Sequence, residues 1–461
     1  MLTRPIIVRT LSAFFNPTKT VPMHVTPSAK ALLPLMLFLT LFIGVGSYLT
    51  LQGVEFAFYQ LPAPVAVLPA IILAILISKE KLSKAIEQFI RGVGHSDIIA
   101  MCIIYLLAGA FASVAKATGG VDATVNLGLS FLPPSLILPG MFIIAAFIAT
   151  AMGTSMGTIA ALAPVALGIA DTAGIDHAVA AGAVLSGAMF GDNLSIISDT
   201  TIAATRSQGC EMKDKFRENI SIALPAAIVS LIVFGLLSAP SEMPVTTDIE
   251  WLKVLPYLTI LVLAVSGLNV FVVLTIGILL AGFVGLSTTL DYSTTQYSQD
   301  IYAGFGNMQE IFLLSMLIGG LSALMKHQGG LIWITQSLNK MLQSRSRKSG
   351  ETGIALLVSL VNCCTANNTV AILVSGSIAR ELAEKHDICA KRSASLLDIY
   401  SCVVQGILPY GAQVLLAGSI LQLSPLEVTT HSYYCFALAA TALIAIVVKP
   451  AKAREQSSSV A

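Results

Sequence analysis

Apolar and polar positions along the chain fall into a repeating pattern. Apolar runs of about 17–25 residues, the length that crosses a hydrocarbon core, recur from Ala31 to Val448. Short polar or charged stretches separate them. A β-barrel would show short alternating segments instead. The pattern predicts an all-α polytopic membrane protein. Three apolar stretches carry a polar knot at mid-length, and these change the prediction. "FIATAMGTSMGTIAALAPVALGIA" has a Gly/Thr/Ser knot holding Thr154, Ser155 and Thr158. "LVSLVNCCTANNTVAILVSGSIAR" has an Asn/Thr knot holding Thr365, Asn367, Asn368 and Thr369. "LSGAMFGDNLSIISDTTIAATR" starts as a membrane helix and then presents Asp192 and Asp199 among Ser, Thr and Asn. Polar irregular backbone at that depth is tolerated only inside protein or along a cavity. Each of the first two knots is either a pair of short spans or a re-entrant hairpin, and the hairpin is the favoured expectation.

Lys and Arg sort the connecting loops, since cytoplasmic loops carry the excess. "SKEKLSKAIEQFIRG", "RSQGCEMKDKFRE", "NKMLQSRSRKSGE" and "ARELAEKHDICAKR" are basic. They alternate with loops free of Lys and Arg, such as "LQGVEFAFYQLP" and "DTAGIDH". Both termini are expected in the cytoplasm and the protein in the cell inner (cytoplasmic) membrane. "RSQGCEMKDKFRE", with its alternating signs, reads as a solvated amphipathic turn. No Lys or Arg is expected deep in a span.

The chain also repeats. "YLLAGAFASVAKATGGVDATVNLGLS" resembles "SMLIGGLSALMKHQGGLIWITQSLNK", and Gly119-Gly120 and Gly329-Gly330 lie 210 residues apart. About the same offset maps "GTSMGT" onto "CTANNT". The first copy's opening helix leaves a Lys-rich loop, and the second copy's enters one. The copies are therefore expected in inverted topology, with a site on discontinuous helices at their interface. The expected organisation is a cytoplasmic N-terminal arm (1–30), two leading transmembrane helices (31–90), a first repeat (91–220), linking transmembrane helices (221–300), a second repeat (301–430), and a last transmembrane helix with a cytoplasmic tail (431–461). A helix with a polar break is expected after each knot, "LSGAMFGDNLSIISDTTIAATR" in the first repeat and "SASLLDIYSCVVQGILPYGAQVLLAG" in the second. There Gly406, Pro409 and Gly411 interrupt the helix, and Asp398, Gln405 and Tyr410 are polar.

Composition narrows the function classes. Only 11% of residues are charged, against 55% hydrophobic, and soluble domains run near a quarter charged. A net charge of +1 gives no reason to expect nucleic acid. Seven scattered Cys form no disulfide framework, and six His form no ligand cluster. There is no H-E-x-x-H and no Walker A sequence. Met189 stands where an intramembrane aspartyl protease needs the first Gly of Gly-x-Gly-Asp. An enzyme is not expected, and neither is a cofactor.

The carboxylates point to ions. An ionisable group at the bilayer centre costs at least about 2.5–3.5 kcal/mol, so something must compensate it. In an unbroken helix Asp192, Ser195 and Asp199 fall at i, i+3 and i+7 on one face, with Asn193 and Thr200 beside them. Hard cations take oxygen ligands. A buried carboxylate that binds either Na⁺ or H⁺, but not both, exchanges the two under alternating access. Na⁺ is therefore expected at Asp192 and Asp199. Competing readings stand beside this: Asp199 as a helix cap or partner of Arg206, Thr154, Ser155 and Thr158 as hydroxyls bonded back to helix carbonyls, and Asp398 as an interfacial group after Arg392.

With those residues in view, the chain resembles the NhaC family of sodium/proton antiporters, within the ion transporter superfamily. Its motifs have the forms G-D-x-x-S-x-x-S-D-T-T and T-S-x-G-T. Gly191, Asp192, Ser195, Ser198, Asp199, Thr200 and Thr201 fill the first, and Thr154, Ser155, Gly157 and Thr158 the second. The resemblance implies a two-repeat fold with hairpins and broken helices, and Na⁺/H⁺ exchange. The family also includes carriers of organic acids, so a Na⁺- or H⁺-coupled carrier of a small organic anion or amino acid is the alternative. This chain has Asn193 where the family often has Lys, Ile196 where it often has Pro, and Met156 where it often has Trp. The first change removes a positive charge beside Asp192, and the last leaves room for an organic substrate. The expected partners are the lipid bilayer, Na⁺ and H⁺. A homodimer is usual for helix-rich carriers, though no heptad or G-x-x-x-G signal specifies one here.

Overall fold

The computed structural model describes residues 26–54, 57, 60–131, 133–196, 198–238, 250–266, 268–341 and 346–448. Residues 1–25 of the expected N-terminal arm and 449–461 of the tail lie outside these. The described residues are almost wholly helical. Eight helices among them are long and apolar enough to cross a membrane. The leading part contains α1 (Leu33–Leu51), the short α2 (Ala63–Ala66) and α3 (Leu68–Leu76), and the amphipathic α4 (Leu82–Val93).

Two sets of six helices follow the same plan. The first is α5 (Ser96–Ala117), α6 (Gly120–Phe131), α7 (Ile137–Met152), α8 (Ser155–Ala173), α9 (His177–Leu194) and α10 (Asp199–Gln208). After α11 (Met212–Leu237), α12 (Trp251–Val265), α13 (Val270–Thr288) and α14 (Thr294–Asn307) comes the second. It is α15 (Gln309–His327), α16 (Gly330–Met341), α17 (Arg347–Thr365), α18 (Asn368–Lys385), α19 (Ala390–Ile407) and α20 (Ala412–Leu421), and α21 (Pro425–Thr430) and α22 (Tyr433–Val448) close the chain. The correspondence is close in length. α9 and α19 both have 18 residues, and α10 and α20 both have 10. The Gly-Gly motif has a local cause. Gly119 and Gly329, at φ 75° and 86°, follow the ends of α5 and α15, where left-handed backbone stops a helix and favours glycine.

The two sets run in opposite directions. Gly319 packs on Ile98 and Gly109 on Met308, so α5 and α15 cross antiparallel. Tyr105 Oη and Ser315 Oγ lie 3.2 Å apart, across a separation of 210 residues. That equals the Gly-Gly offset. Equivalent residues of two copies touch where a two-fold axis passes between them, so the axis lies at this bond.

Outward-facing Ile232, Leu236, Leu279, Phe283, Leu443 and Val447 stay exposed on α11, α13 and α22, as expected of helices that meet lipid. Small residues bring the inner helices together. Cβ atoms built on Gly187 and Gly191 of α9 meet the Phe142 and Ala146 carbonyls of α7.

One charge expectation is corrected. The segment "RSQGCEMKDKFRE" is solvated only in part: the side chains of Lys213 and Glu211 are exposed, but Lys215 in the first turn of α11 is 0% exposed. Two basic groups are buried in protein, each in the first turn of its helix beside a basic loop. Lys215 pairs with Asp398 at 2.8 Å, and the buried Arg392 pairs with Glu351 at 2.8 Å. Asp398 is enclosed by protein. It is 1% exposed on α19. A buried charge is tolerated when paired and hydrogen-bonded, and the partners here come from elements far apart in sequence.

Candidate functional site

Four chain interruptions converge on one cavity. α7 and α8 form a hairpin whose tip is Gly153 and Thr154, and α17 and α18 form another whose tip is Ala366 and Asn367. α7 has 16 residues, a rise of about 24 Å, which falls short of the roughly 30 Å hydrocarbon core. The tips match residue for residue. Gly153 and Ala366 are both left-handed, at φ 70° and 49°. Thr154 Oγ1 accepts from Gly157 N, and Asn367 Oδ1 accepts from Val370 N. Each tip residue thereby caps the helix that follows.

The other two interruptions are helix breaks. Between α9 and α10, Ser195 and Ser198 are extended, and between α19 and α20, Leu408 and Gly411 are extended. The break expected in this stretch gives two half-helices, so Asp192, Ser195 and Asp199 do not share the single face that a continuous helix would give them. Ser195 turns away from the carboxylates and donates to the Thr150 carbonyl at 3.1 Å. Ser198 caps α10 by accepting from Thr201 N at 3.2 Å. The break also leaves carbonyls of α9 without helical partners, which hydroxyls and amines from neighbouring elements then bond.

The cavity has a volume of about 700 Å³. Thr154, Ser155, Asn367, Asn368 and Thr369 line it from the tips. Asp192, Asp199, Thr200, Gln405 and Gln413 line it from the broken helices, and Asp97, Arg206 and Leu373 stand toward one end. Asp97 opens α5 and Arg206 ends α10, beside the basic loops, so the cavity faces the basic side. Ser195, Ser198, Asn193, Thr158 and Thr365 are not on its wall. Asn193 points behind the break and donates to Tyr434 Oη at 3.0 Å. Thr158 donates back to the Thr154 carbonyl and Thr365 to the Asn367 carbonyl.

A directed chain of hydrogen bonds crosses the site. Gln405 Nε2 donates to the Ala366 carbonyl at 3.2 Å and to Gln413 Oε1 at 2.9 Å. Gln413 Nε2 donates to Ser155 Oγ at 3.1 Å, and Ser155 donates to Asp192 Oδ2 at 2.8 Å. The chain joins the second hairpin tip to the carboxylate of the first break. Among the described residues no cation lies within ion-pair distance of Asp192, which is 6% exposed. The α9 C-terminus adds partial negative charge beside it, which favours a cation there.

Reading the sequence missed Gln413, Lys215 and Asn219. Gln413 was within reach, because it stands in α20 where Thr200 stands in α10. The Lys215/Asn219 pair, spaced i and i+4, would have signalled a polar stripe entering α11.

The model of the Na⁺/H⁺ antiporter family matches residues 9–239 and 242–449. The chain belongs to this family. It is a multi-pass membrane transporter rather than an enzyme. It is similar to the Na⁺/H⁺ antiporter NhaC of Bacillus subtilis (strain 168), 25% identical over 77% of this chain and 84% of that one. It is also similar to the arginine/ornithine antiporter ArcD of Halobacterium salinarum, 24% identical over 75% of this chain and 78% of the relative. The malate-2H⁺/Na⁺-lactate antiporter of Bacillus subtilis (strain 168) is 23% identical over 86% of this chain and 90% of its own. The names of these three relatives describe antiporters of different solutes.

Proposed function

We propose that this protein is a Na⁺/H⁺ antiporter of the cytoplasmic membrane that works by alternating access, with Asp192 and Asp199 binding Na⁺ or H⁺ competitively. The observation that carries the reading is Asp192 itself. It is a buried carboxylate on a cavity wall, held by a hydroxyl donor with no cation in ion-pair range among the described residues, whereas Asp398 and Glu351 are each paired with a basic group. Burial without a counter-charge favours protonation, and an arriving cation favours ionisation. The same group therefore trades one for the other. Thr154, Thr200, Asn367, Asn368 and Gln405 supply further oxygen ligands around it.

The arrangement also suits alternation. A second cavity of about 470 Å³, lined by Lys116, Asp171, Asp300 and Gln422, lies at the other ends of α8 and α20. Both helices line both cavities, so the packed middle of each separates the two. Rocking one repeat against the other moves this partition to the opposite side of Asp192.

The cavity volume favours one second reading. About 700 Å³ exceeds the needs of a bare ion and falls in the range of small-molecule sites, about 300–1,000 Å³. The amides of Asn367, Asn368, Gln405 and Gln413, with the α8 and α18 N-termini, suit a carboxylate. Na⁺- or H⁺-coupled carriage of a small organic anion or amino acid is that reading. Proteoliposomes holding a pH-sensitive dye and an imposed ΔpH separate the two. Dissipation on adding Na⁺ alone, lost in Asp192→Asn, supports the antiporter. A response that requires malate, lactate or an amino acid moves the assignment to the organic carrier.

A further inference from the structure

Behind the first break, on the side away from the cavity, Lys215 uses its ammonium on three elements. Nζ donates to the Asn193 carbonyl of α9 at 2.9 Å, to Thr201 Oγ1 of α10 at 2.6 Å, and pairs with Asp398 Oδ2 of α19 at 2.8 Å. Asn219, one turn along α11, donates to the same Asn193 carbonyl at 3.0 Å and to the same Asp398 oxygen at 2.7 Å. The Asn193 carbonyl lies at the end of α9, where the break removes its helical donor. The break is thus held by one positive charge touching both half-helices, and that charge is fixed by a carboxylate of the other repeat.

We propose that Lys215 is the built-in cation of the first break, a positioning residue with two effects. It neutralises Asp398, which then takes no part in exchanging protons for sodium. It also clamps Asn193 and Thr201 so that their neighbours Asp192 and Thr200 face the cavity. Lys215 touches neither the cavity nor a transported ion. The positioning effect rests on the exchange reading above, and the neutralising effect does not. The titratable groups around the pair are Asp192 on α9, Cys402 on α19, and Tyr434 and Cys435 on α22. All of them are unchanged in the variants below.

The test compares the full-length protein with Lys215→Met, Asp398→Asn and the double variant. Melting of the purified proteins is followed across about pH 5 to 8. In Lys215→Met, Asp398 must hold a proton to stay buried, so its stability is present at low pH and falls as pH rises. In Asp398→Asn the unpaired ammonium must lose its proton, so the slope reverses. The double variant carries neither charge and regains the wild-type slope. In proteoliposomes Lys215→Met raises the apparent KM for Na⁺ about 10-fold or more. The double variant keeps that raised KM, because the ammonium that bonds both half-helices is still absent. Wild-type slopes in both single variants overturn the neutralising effect, and so does a double variant as unstable as Lys215→Met. An unchanged KM in both Lys215 variants overturns the positioning effect. A wild-type protein silent to Na⁺ removes the exchange reading and the positioning effect with it, while the melting slopes still decide the charge pair.

Discussion

Ser155 Oγ donates to Asp192 Oδ2 at 2.8 Å, joining the tip of the first hairpin to the end of the half-helix α9. The bond explains why the two sequence motifs belong together. One supplies the carboxylate, and the other supplies the hydroxyl that aims it. Asp192→Asn removes the exchangeable charge and keeps the shape, so Na⁺-evoked proton movement is expected to vanish while the purified amount is unchanged. Ser155→Ala removes one hydrogen bond to a charged group, worth about 1.5–3 kcal/mol. It is expected to raise the apparent KM for Na⁺ by roughly 10-fold or more. An active Asp192→Asn protein would take that residue out of the site.

Asp199 stands on the same cavity wall, exposed to it at the start of α10. Its carboxylate sits in the first turn of α10, on the wall it shares with Asp192. Asp199→Asn is expected to lower exchange at least about 10-fold, as loss of a direct cation ligand does. Measuring the rate at several pH values separates two roles. Loss at every pH marks a ligand, whereas a displaced optimum marks a group that tunes Asp192.

How much of this was legible in the sequence varied with the signal each feature leaves. The hairpin tips were plain, because Gly, Thr and Asn in a membrane segment require a cavity or buried partners. The second break was marked by Pro409 and Gly411. The first break carries no Pro or Gly between Ser195 and Ser198; the polar run marked a break there but not which of Asp192, Ser195 and Asp199 would face the cavity. Lys215 was hidden for a different reason. A charge run of alternating signs reads as solvated whatever one of its members does. Burial of Lys215 depends on Asp398, far along the chain, which no local pattern reports.

The chain of donors from Gln405 through Gln413 to Ser155 makes a coupling prediction. Gln413→Leu severs it in the middle, and Gln405→Leu severs it at the second hairpin. Residues in one hydrogen-bond network do not contribute additively. Each single change is expected to cost about 1–3 kcal/mol in the apparent Na⁺ affinity. The double change should cost little more than one of them. A double-mutant cycle on the apparent KM measures the coupling, and full additivity would show that the two amides act independently.

Gly191 tests packing next to the site. A Cβ there would lie 2.4 Å from the Ala146 carbonyl oxygen and 2.5 Å from Ala149 Cβ, and backbone cannot swing aside as a side chain can. Gly191→Ala must therefore push α9 off α7 beside Asp192. Overpacking of this kind costs about 1–3 kcal/mol, and the displacement acts on the carboxylate directly. Purified Gly191→Ala is expected to melt lower than wild type and to lose most of its exchange. A variant with wild-type melting and rate would mean that α7 and α9 separate freely at this level.

The two hairpin tips differ at their left-handed position, and that difference makes the last prediction. Gly153 and Ala366 both occupy left-handed backbone, which costs an L-residue about 1–2 kcal/mol and glycine little. Ala366 carries that strain, and its carbonyl accepts from Gln405, so the strained residue is tied into the donor chain. Ala366→Gly relieves the strain but adds chain freedom to the unfolded state, worth about 0.5–1 kcal/mol. Its melting temperature should rise slightly or hold. Gly153→Ala brings the strain in without relief, and its melting temperature should fall. The pair separates backbone cost from function. Lower exchange in Ala366→Gly at unchanged or higher stability would show that the rigidity of the second tip serves the transport cycle, while equal exchange would limit Ala366 to a cost borne by the fold.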